Sequence, residues 1–171
     1  MLGEFRTQRS VPGATILGGE TMVAHVASYT ALGTGARPRF DACRMKDEMD
    51  VADLESEAAH DYEVFGGTSA TNLLLEDRGM SDGARSDRTL ERFRIVLTPG
   101  GRLVSRLDPD EADEVELFVN DETLGRRPLE NGGWQEVTWT IPPGAKTGLA
   151  VVELRGVGGA FTALHHWTCE R

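Results

Sequence analysis

The stretch WQEVTWTI at residues 134–141 decides the fold class, because its apolar and polar residues alternate. Successive side chains of a β-strand point to opposite faces of the sheet, so Val137, Trp139 and Ile141 share one face. The stretch PPG at residues 142–144 ends the strand, since proline cannot donate to a β-ladder. The pattern therefore predicts an antiparallel strand with one buried face and one solvated face.

The same period of two recurs on both sides of this stretch. Between the apolar runs lie clusters of glycine, proline, asparagine and aspartate, which are typical of tight turns. The spacing leaves no room for the helices of βαβ units, so it predicts a mainly β protein, an antiparallel β-sandwich of the jelly-roll kind. Strands are predicted at Arg92–Leu97, Arg102–Leu107, Glu114–Asn120, Thr123–Leu129, Leu149–Leu154 and Phe161–Thr168.

The N-terminal half carries a weaker signal. Glycine and proline punctuate residues 1–20, which we interpret as an irregular N-terminal arm before a single β-sandwich domain at residues 21–171. Thr21–Leu32 is apolar on both faces and favours a strand, and Thr71–Glu76 is an apolar run of strand length. The polar stretch Asp77–Asp87 is interpreted as a loop.

One short helix is predicted near residues 45–60. Met45, Met49 and Ala52 lie on one helical stripe, the positions around them are charged, and glycine and proline are absent. An acidic loop is the alternative, because eight acids and no lysine or arginine occupy residues 47–63.

The charge of the chain argues against some partners. Its 28 acids and 18 bases give a formal net charge of −10, which repels phosphate backbones, so no nucleic-acid partner is expected. No apolar run reaches the roughly 18 residues of a membrane span. The first residues lack the apolar core of a signal peptide, so we expect a cytoplasmic protein, or a secreted or periplasmic one if a leader was removed.

Cys43 and Cys169 are the two cysteines of the chain. The first and last strands of a jelly roll tend to be neighbours, which would allow these residues to form a disulfide if the geometry permits. Two separate thiols are the alternative interpretation.

The stretch Glu114–Trp167, about a third of the chain, resembles the galactose-binding-like jelly-roll domains that accompany many carbohydrate-active enzymes. The resemblance rests on Val115–Asn120 with its Asn-Asp end, on Leu124-Gly125, on Trp134–Pro142, and on the penultimate strand Leu149–Leu154. It implies a β-sandwich similar to carbohydrate-binding modules, with carbohydrate as a ligand bound with or without the help of Ca²⁺, although the calcium loop of the binding members is not visible here. Fold alone does not fix function, so these remain expectations.

Four residues are candidates for ligand binding. Trp134 opens a strand beside two glycines, which favours partial exposure of a flat face on which a sugar ring stacks. His165 and His166 point to opposite faces of the last strand, so one is expected in the core and the other at solvent or a groove. Tyr62 is the remaining aromatic candidate. A purely structural role is the alternative for each of them.

Asp50, Asp53 and Asp61 belong to the acidic stretch and are candidates for an oxygen-ligand Ca²⁺ site, although their spacing is not that of an EF-hand. A solvated acidic surface is the alternative. No nucleophile elbow, zinc-binding His-Glu-x-x-His or phosphate loop occurs in the sequence, so no catalytic residue is assigned.

The sequence therefore favours a non-catalytic recognition or accessory module that binds carbohydrate, with or without Ca²⁺. The first alternative is a structural protein whose sandwich and N-terminal arm contact protein partners or a second copy. The second is an enzyme of unfamiliar type that uses His165 or His166.

Overall fold

The computed structural model describes residues 43–75, 80–131, 133–146 and 148–170. These residues form antiparallel strands and one short helix, which confirms the predicted β-sandwich class. None of the described helices is long and apolar enough to cross a membrane. The elements are β1 Arg44–Asp50, α1 Leu54–Ala59, β2 Glu63–Leu75, β3 Met80–Leu97, β4 Arg102–Asp108, β5 Glu114–Val119, β6 Glu122–Pro128, β7 Gln135–Thr140, β8 Gly148–Val157 and β9 Phe161–Glu170.

The strands form two layers that share β3. The hydrogen-bonded order is β6-β5-β8-β3-β9-β4-β7, with β1 added to β9 and β2 added to β3. The second half of β3 pairs with β8 over residues 90–97, whereas Arg85 and Arg88 in its first half pair with β9. We call β2, β3, β8, β5 and β6 the β3 layer, and β1, β9, β4 and β7 the β9 layer.

The core lies between these layers and follows the predicted alternation. Val137 and Trp139 are buried on β7, whereas Gln135, Glu136 and Thr138 are not. One hydrophobic cluster contains residues of both layers, so the apolar faces of the two layers pack against each other and form the core. Its members from the strands named above include Phe93, Ile95, Leu97, Leu103, Leu107, Val115, Leu117, Val119, Val152 and Leu154.

Of two predictions for the N-terminal half, one is confirmed and the other is wrong. The short helix predicted near residues 45–60 is present at Leu54–Ala59, whereas residues 44–50 pair with β9 as a strand, because tertiary pairing overrides the helical stripe there. The loop predicted at Asp77–Asp87 is a strand from Met80 onward, paired with β2. The predicted arm at residues 1–20 and the strand at Thr21–Leu32 lie outside the described residues.

A disulfide joins Cys43 to Cys169 and so ties the start of β1 to the end of β9. The two Cα atoms are 5.6 Å apart, and the bond links residues separated by 126 positions. This confirms the pairing alternative over separate thiols.

The connection from β1 to β2 crosses between the layers and covers the free edge of β3. The Arg94 amide donates to the His60 carbonyl at 2.7 Å, and the Val96 amide donates to Asp47 Oδ2 at 2.8 Å. Asp53 begins α1 by accepting the Glu55 amide at 3.0 Å. The short helix is thereby fixed beside the outer face of β3.

We expect the Cys43→Ala/Cys169→Ala variant to lose about 4–5 kcal/mol of unfolding free energy, because its unfolded chain is no longer cross-linked. Urea denaturation of oxidised wild type and of this variant measures the difference. Reducing agent should destabilise the wild type and leave the variant unchanged. Equal midpoints for oxidised and reduced wild type would contradict the expectation.

Candidate functional site

An open groove of about 750 Å³ lies between α1 and the outer face of the β3 layer. Its polar lining comes from Asp61, Tyr62, Glu63, Arg92 and Arg94, and α1 supplies one wall. Tyr62 is thus the predicted ligand-binding residue that the structure places in a groove.

The alternation of β3 builds the floor of this groove. Phe93 is fully buried, so its neighbours Arg92 and Arg94 point outward on the same face. Glu63 of β2 pairs with Arg92, and Val151 of β8 pairs with Arg94. The two arginines therefore lie side by side, with the Glu63 carboxylate next to Arg92 and the apolar Val151 next to Arg94.

The ion pairs of the groove are weak. Arg94 Nη1 lies 3.2 Å from Asp61 Oδ2, and both side chains are more than half exposed. The Arg92 guanidinium lies 3.9 Å from Glu153 and 3.9 Å from Asp121. Exposed pairs of this kind contribute little to stability, so these groups can rearrange around a ligand.

The Tyr62 phenol reaches from the groove into the interior. Its hydroxyl donates to Glu91 Oε2 at 2.8 Å and also contacts Arg88 Nη1. Burial, together with the nearby Glu91 carboxylate, raises the pKa of Tyr62 well above its usual value. The phenol is therefore neutral at any physiological pH.

Behind Tyr62 lies a buried chain of polar side chains, formed by Glu91, His166 and Ser105. Glu91 Oε1 lies 3.1 Å from His166 Nε2, and His166 Nδ1 lies 2.8 Å from Ser105 Oγ. Arg88 Nη1 pairs with Glu91 Oε2 at 2.8 Å. Burial acts to raise the pKa of Glu91, but His166, Arg88 and Tyr62 outweigh it and lower that pKa to about 2.

The order Ser105, His166, Glu91 is that of a hydrolytic triad, but its geometry differs. The serine contacts Nδ1, whereas the nucleophile of the serine-protease template contacts Nε2. All three side chains are fully buried, so a substrate does not reach the hydroxyl. The arrangement instead joins β3 to β9 and β4 across the interior.

A local irregularity turns Arg88 toward this interior. The pairing of β3 shifts register at Gly66 of β2 and between Arg85 and Arg88 along β9. Asp87 has a φ of 58°, as expected at a β-bulge. A Cβ at Gly66 would lie 3.0 Å from the Thr89 amide nitrogen, so glycine allows the strands to approach closely there.

His165 lies on the opposite face of β9 from His166, as predicted, but it is only 4% exposed rather than open to solvent. Its ring stacks on Trp167 at 4.1 Å, and its Nε2 lies 3.0 Å from Glu48 Oε1. Burial lowers the pKa of His165 to about 4, despite the contact with Glu48. Asp50 Oδ1 lies 3.5 Å from Nδ1 of the same ring.

Trp134 belongs to a stack on this same face rather than to the groove. The Arg106 guanidinium lies 4.9 Å from the Trp134 ring centre and 4.8 Å from that of Trp167. The guanidinium also pairs with Glu136 at 2.6 Å. Trp134, Arg106, Trp167 and His165 thus form a continuous stack of planar groups, which stabilises the β9 layer through cation–π contacts.

The three aspartates predicted to bind metal serve separate local roles. Asp50 contacts His165, Asp53 begins α1, and Asp61 pairs with Arg94. Across residues 43–170, apart from the gaps given above, no three acidic, histidine or cysteine side chains converge as a metal site.

Sequence reasoning missed the two groove arginines and the buried Arg88–Glu91 pair. The signal for Arg92 and Arg94 was present, because both lie on the polar face of a clearly alternating strand. No comparable signal marks Arg88, whose orientation depends on the bulge.

No family model and no curated protein matches this chain. Distant structural neighbours include carbohydrate-binding modules. The C-terminal CBM6 of LamC, a marine laminarinase from Zobellia galactanivorans, is 11% identical, covers 72% of this chain and 98% of its own, and has a TM-score of 0.45. A family 6 module from Clostridium cellulolyticum, in complex with xylose, is 12% identical with coverages of 72% and 96% and a TM-score of 0.44. The CBM36-1 domain of a xylanase from the hindgut metagenome of Trinervitermes trinervoides is 16% identical, with coverages of 62% and 88% and a TM-score of 0.41.

We expect the unfolding free energy to fall by roughly 3 kcal/mol as the pH drops from about 6.5 to about 4, because of His165 alone. The unfolded chain takes up a proton at this residue over that range, whereas the folded protein, with its lowered pKa, does not. Denaturation at a series of pH values measures the slope, and His165→Gln should flatten it. Parallel curves for wild type and variant would contradict the expectation.

Proposed function

We propose that this domain is a non-catalytic recognition module that binds a carbohydrate in the groove between α1 and β3. The observation that supports the proposal is the mixed lining of that groove. Guanidinium groups of Arg92 and Arg94 only donate hydrogen bonds, whereas the carboxylates of Asp61 and Glu63 only accept them. A sugar hydroxyl does both, so this lining suits a ligand with several neighbouring hydroxyl groups.

The size and rigidity of the groove also support the proposal. Its volume of about 750 Å³ falls in the range of small-ligand sites, roughly 300–1,000 Å³. Arg92 and Arg94 project from a strand whose other face is buried in the core. Because the backbone of this floor is already ordered, binding incurs little additional loss of backbone freedom.

A glycan array followed by calorimetry tests the proposal, with and without Ca²⁺ to test the expected cofactor. We expect Arg92→Ala and Arg94→Ala each to weaken binding by about tenfold or more, since each removes a charged donor. Arg126→Ala is a matched control, because this arginine of β6 is half exposed and pairs with Glu116 away from the groove. Its affinity should equal that of the wild type.

Two results would contradict the groove as a sugar site. One is the absence of any bound glycan across a broad array. The other is wild-type affinity in both groove variants, or an equal loss in Arg126→Ala, which would indicate a general effect of charge.

A second candidate function is contact with a protein partner or with a second copy of the chain. Phe65 of β2 and Leu149 of β8 are large apolar residues with exposed fractions of 51% and 67%. Light scattering after size-exclusion chromatography, with Leu149→Ser as the variant, tests self-association.

For localisation, the Cys43–Cys169 disulfide supports an oxidising compartment, in which such bonds persist.

A further inference from the structure

We propose that Glu91, His166 and Ser105 are positioning residues that hold the Tyr62 ring in the groove and thereby set its affinity for the ligand. This inference rests on the proposed function and adds residues that lie outside the groove. The three buried side chains extend from β3 to the β9 layer, and they would influence ligand affinity in a groove that they do not line.

The first step is the attachment of Tyr62. Tyr62 contributes to the lining of the groove, while its hydroxyl donates to Glu91 Oε2 at 2.8 Å. Tyr62 precedes the first residue of β2 and so lies in the connection between α1 and that strand. The hydrogen bond to Glu91 fixes the far end of the ring, so the orientation of the ring follows the position of that carboxylate.

The second step is the confinement of Glu91. The side chain is fully buried, with Oε2 facing Tyr62 and Arg88 and Oε1 facing His166 at 3.1 Å. A buried carboxylate that rotated away would lose partners it cannot replace with water. Its position is therefore set by the groups that hold its two oxygens.

The third step is the orientation of His166. The ring stacks on Phe93 with centres 4.4 Å apart, and Nδ1 lies 2.8 Å from Ser105 Oγ on β4. If the Ser105 hydroxyl donates to Nδ1 of a neutral imidazole, Nε2 carries the proton and faces Glu91 Oε1 at 3.1 Å, a polar contact without hydrogen-bond geometry. If both nitrogens are protonated, the hydroxyl accepts from Nδ1. In either form Ser105 holds the ring with Nε2 toward Glu91.

Removal of the Ser105 hydroxyl should therefore change the position of Tyr62 in the groove, although Ser105 lies on a strand of the other layer. Without it, a neutral imidazole can place its proton on Nδ1 and turn an unprotonated Nε2 toward the Glu91 carboxylate. The two acceptors would repel each other, and Glu91 would shift together with the Tyr62 hydroxyl.

The test uses Ser105→Ala with Thr168→Val as the matched control. Thr168 is also buried and lies two residues from His166 on the same strand, and its hydroxyl has no hydrogen-bond partner within the described chain. Nuclear magnetic resonance of ¹³C-labelled tyrosine rings reports on Tyr62, and Tyr29→Phe assigns the second of the two tyrosine signals. Calorimetry with a glycan selected on the array reports affinity.

We expect Ser105→Ala to shift the Tyr62 ring signals and to weaken binding about three- to tenfold, as for the loss of one neutral hydrogen bond. Thr168→Val should do neither. In a Tyr62→Phe background, which lacks the hydroxyl attachment, Ser105→Ala should have no further effect on affinity. Additive effects of the two substitutions would overturn the inference.

The outcomes separate the two proposals. If the wild type binds a glycan and Ser105→Ala changes neither the Tyr62 signals nor the affinity, the inference is overturned and the proposed function stands. If the wild type binds no glycan, the proposed function fails, and the inference about affinity fails with it.

Discussion

The Glu91 carboxylate, a fully buried charge, is the constraint on which the rest of the structure depends. An unpaired charge in the interior would cost far more than a domain of this size can supply, so it must be surrounded by donors. Arg88 and Tyr62 donate hydrogen bonds to one of its oxygens, and His166 lies 3.1 Å from the other. Each of the three comes from a different element or connection. Satisfying one carboxylate therefore fixes the relative positions of β3, β9 and the segment before β2.

Strand alternation explains how the same strand serves both the interior and the groove. On β3, Glu91 and Phe93 point into the sandwich, while Arg92 and Arg94 point outward. The buried members hold the strand in register, and the exposed members are presented on a rigid base. The proposed recognition surface thus lies on the outer face of β3, and the buried ionic cluster lies on the inner face of the same strand. Tyr62 contacts both.

The sequence predicted the fold well where period two was uninterrupted, from Arg92 to the end of β9. Near residues 45–60 it predicted the short helix but missed the strand Arg44–Asp50, which is stabilised by β9 and by a disulfide rather than by its own pattern. For the site, Tyr62 was predicted and Arg92 was not. Trp134 is partly exposed, as predicted, and His166 is the histidine in the core. The other histidine, His165, was expected at solvent or a groove, but the sequence does not show that both faces of β9 are covered.

The acidic segment at residues 47–63 looked like a solvated surface, yet much of its charge satisfies donors of the fold. Asp47 accepts the Val96 amide, and Asp53 accepts the Glu55 amide in the first turn of α1. Glu57 binds the Arg85 guanidinium through both oxygens and also accepts the Ala52 amide. Because these carboxylates have protein partners, they act as fixed acceptors rather than as a diffuse negative field. Asp61 and Glu63, at the end of the segment, line the groove together with Glu57.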